Sequence, residues 1–248
     1  MRRGILLLLF VLAAHLAACA PQVPDPGRVE VRQLAERLSY YPHQTGVVWS
    51  YLRDGERLDT APVVQRVEGP VMLGGEVLVA TRLVGRGLDT TYYRRYGPSG
   101  VQLVRETRPG AVIDYDPPIQ ELPSEGALHT GSSWGGTTTA RLFFAEARAE
   151  NQRAELRLDY RYSVVDRRAV SVAAGGFEVY VINLVAEQAG EGERGETVQQ
   201  ELWFAPFVGE VRTRTGYLLV DGNFAQNRPE TLLSDTALAN TEAAGSAC

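Results

Sequence analysis

Side chains suited to chemistry are few in this chain, and they are scattered. A nucleophile–base–acid relay needs a histidine free to be oriented, and the sequence holds three: His15, His43 and His129. His15 sits beside an apolar amino-terminal run. His43 and His129 each stand just ahead of a Gly-x-x-Trp stretch, Gly46 to Trp49 and Gly131 to Trp134. No Gly-x-Ser-x-Gly elbow accompanies them, since Gly131-Ser132-Ser133 lacks the closing glycine. The two histidines could share a metal with Asp114 or Asp116, but nothing in their spacing demands one. Asp114-Tyr115-Asp116 puts two carboxylates on one strand face, a pairing that glycosidases use at separations of about 5–9.5 Å. It runs into Pro117-Pro118, and Asp before Pro predicts a strand end instead. The acidic run 190–196 (GEGERGE) lacks the ligand order of a calcium loop and reads as a solvated hairpin tip. Gly85-Arg86-Gly87 precedes a strand, whereas a phosphate-cradling loop feeds a helix. Tyr92-Tyr93-Arg94-Arg95-Tyr96 interleaves rings and cations, as base-stacking surfaces do. In an acidic chain it is read as a strand whose arginine stems cover aromatic faces. The expectation is therefore no catalytic residue, no metal and no cofactor.

Composition narrows the class. The 248 residues are 44% hydrophobic and 22% charged, with 25 Gly and 13 Pro, as in a folded globular chain. Lys and Arg total 25 against 30 Asp and Glu, a net charge of −5, which argues against a nucleic-acid partner.

The amino terminus sets the compartment. Arg2 and Arg3 precede an apolar run from Ile5 to Ala14, then Leu16-Ala17-Ala18-Cys19. A charged start, a short apolar core and small residues at its end make a secretory signal, and about 20 apolar residues would be needed to span a bilayer. Cys19 directly after Leu-Ala-Ala resembles the lipobox of bacterial lipoproteins. That resemblance implies a signal peptide over 1–18, diacylglycerol on the Cys19 thiol and acylation, as with palmitate, of its freed amine. The thiol suits this step because it is nucleophilic at neutral pH. Two or more chains anchor stably, at about 0.8 kcal/mol per buried CH₂. Residues 19–28, with three prolines among APQVPDPG, read as an extended tether. Loss of Arg2 and Arg3 takes the charge from −5 to −7, so the lipid rather than head-group electrostatics is expected to hold the membrane. Ala20 is not the aspartate associated with inner-membrane retention. Cys248 is left alone in a small polar tail.

Residues 29–228 are expected to form one β domain, followed by a carboxy-terminal segment, 229–248. A helix is predicted over Val29–Ser39, with Val31, Leu34, Ala35 and Leu38 on one face. Beyond it the period becomes two. Leu156, Leu158, Tyr160, Tyr162 and Val164 alternate with charged or polar residues, and similar strands are predicted at Val47–Arg53, Thr90–Tyr96, Val101–Thr107, Val198–Phe204 and Glu210–Thr215. Val77–Val84 and Phe177–Ala186 are apolar on both faces and call for a cover, either the opening helix or Pro229–Leu238. Turns are predicted at 53–56, 73–76, 96–100 and Val165-Asp166-Arg167-Arg168. The reading is an all-β, minor-α fold: a curved antiparallel meander closing into a half-barrel or barrel-like sheet. The Trp49 and Trp134 motifs hint at an internal duplication.

Pro117-Pro118, Leu122-Pro123 and Gly131-x-x-Trp134 resemble the opening of many envelope proteins of unassigned function. Val170 to Val179 resembles their V-x-V-P-A-G-T-F hairpin, with an alanine in place of the proline and Gly176 in place of the threonine, and Trp203 to Val211 resembles their W-Y-A-P-x-V-G-x-V strand pair. Such proteins are similar in form to the LolA/LolB lipoprotein carriers, which implies a curved sheet over a greasy hollow. Fold does not carry function with it. The functional expectation is a non-enzymatic lipoprotein of the cell envelope, facing the periplasm or exterior, that binds a lipid or other apolar ligand in a concave sheet. Trp49, Trp134, Phe177, Tyr180, Ile182 and Trp203 are the ligand-facing candidates. The alternative is a solid-cored scaffold that docks an envelope protein partner.

Overall fold

The computed structural model describes residues 38–144, 153–189 and 196–224. Most of the Val29–Ser39 helix, the signal peptide, Cys19, the tether, Pro229–Leu238 and Cys248 lie outside the described residues.

Twelve strands follow one another: β1 (Val48–Arg53), β2 (Val63–Leu73), β3 (Glu76–Gly85), β4 (Leu88–Gly97), β5 (Gly100–Arg108), β6 (Ala111–Leu122), β7 (Ser133–Phe144), β8 (Arg153–Val172), β9 (Gly175–Ala189), β10 (Thr197–Ala205), β11 (Gly209–Arg212) and β12 (Tyr217–Gly222). Each pairs antiparallel with its sequence neighbours, and β12 returns to β1, so the sheet is a closed barrel. Closure removes the raw edges that a sheet this wide would otherwise present. The turns joining β2–β3, β3–β4 and β4–β5 carry positive-φ glycines, including Gly74, Gly87 and Gly100, where a side chain would be strained. Because the meander alternates, Leu38–Val47 and the β2–β3, β4–β5, β8–β9 and β10–β11 turns share one end of the barrel, the entry end. The β3–β4, β5–β6 and β11–β12 turns form the far end.

The meander repeats itself. Gly46 N–H and Val47 C=O bond Val67 on β2, at 2.9 Å each; Gly131 N–H and Ser132 C=O bond Val164 on β8, at 2.8 and 2.9 Å. Gly46 and Gly131 have φ of 89° and 87°. A bulge follows Val67 and another follows Val164, and Trp49 and Trp134 lie opposite the residue two before each. A second pair of bulges falls at Val104 on β5, opposite Tyr93/Arg94, and at Val211 on β11, opposite Trp203/Phe204. Strands β1–β6 and β7–β12 are thus two copies of one six-strand pattern. Past the second bulges, Arg94 opposes Leu103 in one half, where Phe204 opposes Glu210 in the other.

Three local expectations are corrected. Val165-Asp166-Arg167-Arg168 is no turn: β8 runs through it to Val172. It holds neither Gly nor Pro, so the extra residue becomes a bulge while the strand continues. β6 likewise runs through Pro117-Pro118, whose missing N–H groups fall where pairing with β7 has stopped at Asp116. The strand predicted over Glu210–Thr215 stops at Arg212, and Thr213–Gly216 forms a turn closed by Gly216 N–H to Thr213 C=O at 2.9 Å.

The doubly apolar strands divide. On β9, Phe177, Val179 and Val181 join a core with Trp49, Val208 and Leu219, while Ile182 and Leu184 join a second with Tyr162, Leu202 and Phe204. On β3, Leu78 and Ala80 are buried, but Val77 remains 59% exposed beside an equally bare Met72.

Candidate functional site in the barrel interior

The interior is built around charge. Arg94 lies on β4 opposite the β5 bulge at Val104. Its Nε donates to Glu121 on β6 at 2.5 Å, and Arg214, in the β11–β12 turn, reaches the same carboxylate. Arg94 and Glu121 are buried, at 7% and 4% exposure. Burial alone would raise the Glu121 carboxyl, but the two guanidiniums hold it down at about 2. Glu210 on β11 behaves oppositely: burial raises its carboxyl, and the same two arginines only partly offset this. Among the described residues no hydrogen bond ties the Glu210 carboxylate to either arginine. Tyr51, Tyr92, Tyr96 and Tyr162 surround the cluster. Burial pushes the Tyr96 and Tyr162 phenols up to about 12, and Arg94 sits 4.6 Å over the Tyr92 ring.

Two hollows meet at this cluster, sharing Gln65, Arg94, Glu210 and Arg214. The larger is a cavity of about 260 Å³ whose wall combines Leu83, Leu103, Ile119, Leu158, Leu184 and Ala186 with Tyr92, Tyr115, Tyr160, Tyr162 and the pair Glu106–Arg108. Tyr115 Oη donates to Glu106 at 3.3 Å. The smaller, toward the entry end, is lined by Tyr41, Trp49, Thr81, Tyr96 and Phe204. Thr81 Oγ1 is buried there without a hydrogen-bond partner. The lining is therefore mixed, an apolar wall carrying several charged and phenolic groups. The apolar residues of the two-faced strands divide between two cores, and β4, β5, β6 and β11 bring their alternate polar residues inward.

Of the six candidates, Trp49 lines the smaller hollow. Its indole donates to Val208 C=O at 2.6 Å, and the ring lies so close to Gly209 that a Cβ there would come within 3.1 Å. Trp134 stacks on Tyr162 at 5.5 Å and donates to Gln120 C=O. Phe177 and Ile182 are buried in the two separate cores. Tyr180 carries Arg167 over its ring, and Trp203 stands half-buried between Arg168 and Arg212, each 5.2 Å from its ring centre. The two hollows thus take in one candidate and leave five outside their walls.

The chemistry-bearing candidates are dispersed. His43 stacks on Tyr96 at 4.3 Å, with Nδ1 2.8 Å from Tyr41 C=O, and His129 is exposed in the β6–β7 loop. Asp114 pairs with Arg105, and Asp116 with Arg141 at 3.0 Å. Among the described residues no three His, Cys, Asp or Glu side chains are grouped to hold a metal. Sequence reasoning missed Glu121, Glu210 and Arg214, and read Arg94 only as a stem covering an aromatic face, as it covers Tyr92. The one available signal was parity: Tyr92, Arg94 and Tyr96 alternate, so one strand face carries all three, while Arg95 pairs outside with Glu76.

No family model and no curated protein matches the chain. Among solved structures, it is similar to a protein of Bacteroides fragilis NCTC 9343, inferred to be exported and described as having a YmcC-like fold: 15% identity, TM-score 0.40, over 75% of this chain and 99% of that one. It is also similar to the hypothetical lipoprotein YmcC of Escherichia coli K12, at 10% identity and TM-score 0.36 over 69% and 78% of the two chains. An inferred lipoprotein of Parabacteroides distasonis ATCC 8503 aligns at 13% identity and TM-score 0.38, over 75% and 99%.

Proposed function

We propose that this protein is a lipid-anchored protein of the cell envelope that holds a small amphiphile or apolar ligand inside its barrel and performs no chemistry on it. The observation that carries the reading is the cavity of about 260 Å³ and its divided wall. Folded interiors are close-packed and rarely keep voids much larger than a water molecule, whereas ligand sites are concave, largely apolar and fitted with a few placed polar groups. Inside, Glu121 is bonded to Arg94 and Arg214 and Glu106 to Arg108, a resting arrangement suited to recognition. The Cys19 lipobox supports the anchor. A solid-cored scaffold fits the hollow less well.

Native mass spectrometry of the mature chain from residue 20 onward, which contains the whole barrel, tests the binding reading. The expected result is a co-purified small molecule, or saturable uptake of an environment-sensitive apolar dye. A chain that carries nothing and takes up no dye would overturn it. For the anchor, intact mass should show Cys19 acylated, and Cys19→Ser should leave an unprocessed precursor; a free amino terminus on the wild type would end the claim.

A further inference from the structure

We infer that the ligand of this hollow is a single-chain amphiphile with one anionic head, a carboxylate or a phosphate ester, seated against Arg94 and Arg214; this rests on the binding reading above.

The hydrogen bonds among the charges facing the hollow are shared unevenly. Arg94 and Arg214 share one carboxylate, Glu121, which leaves that group of three at +1. Glu106 and Arg108 close on each other as a neutral pair. Glu210 lines both hollows, and among the described residues its carboxylate makes no hydrogen bond to either arginine, so the pair keeps donors for a further acceptor. Buried guanidinium donors short of acceptors are costly, and a partner that supplies an oxyanion relieves this. Arg214 is placed to receive it: its side chain lines both hollows and is 24% accessible. Beyond Glu121 it makes only a long contact, 3.4 Å, to Tyr162 Oη, so donors remain free for an oxyanion. The unpartnered Thr81 hydroxyl in the adjoining hollow adds a donor. Leu103, Ile119, Leu158 and Leu184 then offer the apolar wall that a chain requires.

Four probes of equal chain length separate the possibilities: dodecanoate, dodecyl phosphate, dodecanol and dodecylamine, titrated into the mature chain by displacement of an apolar dye. One or both anions should bind about tenfold or more tighter than dodecanol, with dodecylamine weakest, and the ratio of the two anions identifies the head. Arg214→Gln should bring the anions down to the dodecanol level while leaving dodecanol unchanged, and Arg214→Lys, which keeps the charge, should retain most of the preference. Equal binding of all four probes, or an anion preference that survives Arg214→Gln, would overturn this inference yet leave the binding reading standing. If no probe binds, both fall.

Discussion

Two guanidiniums converge on the Glu121 carboxylate, so protonating that one group leaves two cations facing each other in a buried place. Its folded carboxyl titrates at about 2 against an ordinary 4.5, so the stabilisation is complete above pH 4.5 and is lost as pH falls toward 2. The loss over that window should be about 3 kcal/mol. Chemical denaturation from pH 6 to 2 should show it, and Glu121→Gln should be less stable at pH 6 with a flatter acid limb. An unchanged acid limb in Glu121→Gln would show that the transition belongs to other groups. Glu210 works with the opposite sign, favouring the folded state at low pH and weakening it as pH rises through its raised value. The tryptophans differ in the same residue-by-residue way. Trp49→Ala should cost about 3–5 kcal/mol, as buried aromatic truncations do, because Trp49 is 3% exposed and fills the space against Gly209. Trp203→Ala should cost clearly less, since it removes a half-buried ring held between two arginines. Melting midpoints in the reverse order would show that Trp203 is the deeper anchor.

Strand positions were legible in the sequence where a face alternated or a glycine punctuated, and illegible where the ladder slipped. β4, β5 and β10 fall within a few residues of their predicted bounds because period-two alternation reports directly on burial. The Val165–Arg168 segment and Pro117-Pro118 look like terminators locally, yet pairing partners on both sides carry β8 and β6 across them. The central charges stayed hidden for another reason: Arg94 alternates regularly with Tyr92 and Tyr96, but spacing alone does not say which strand face turns inward. The turns carry their own test. Gly100 opens β5 at φ 105°, and a Cβ there would meet Leu122 and Pro123 carbonyl oxygens at 2.3 Å. Gly100→Ala should destabilise by more than about 2 kcal/mol through strain and backbone collision, whereas Gly97→Ala, with open space around its Cβ, should cost well under half of that. Thermal denaturation of the two variants decides it, and equal losses would place the strain elsewhere.

The barrel as a whole is closed unevenly. β8 and β9 pair along fifteen positions, whereas β11 and β12 register through the single pair Arg212 and Leu218. Amide hydrogen exchange should therefore release 211–213 and 217–219 well before the centre of β9; slower exchange at this seam than along β9 would contradict it. The all-β class and the meander were readable from the chain because every element is local in sequence. The interior was not, because Arg94, Glu121 and Arg214 meet across 93 or more intervening positions at the extreme and share no motif. The six-strand repeat reaches beyond stability. One half alone would leave β1 and β6 open to any chain it met, and two identical halves about a two-fold axis would cancel both edges. Such a pair would also be condemned to matching walls, each cation on one side answered by the same cation on the other. With both halves on one chain that constraint is gone: the position held by Arg94 becomes Phe204 in the other half, and the one held by Leu103 becomes Glu210. Covalent continuity is what lets one ring have a wet wall and an oily one.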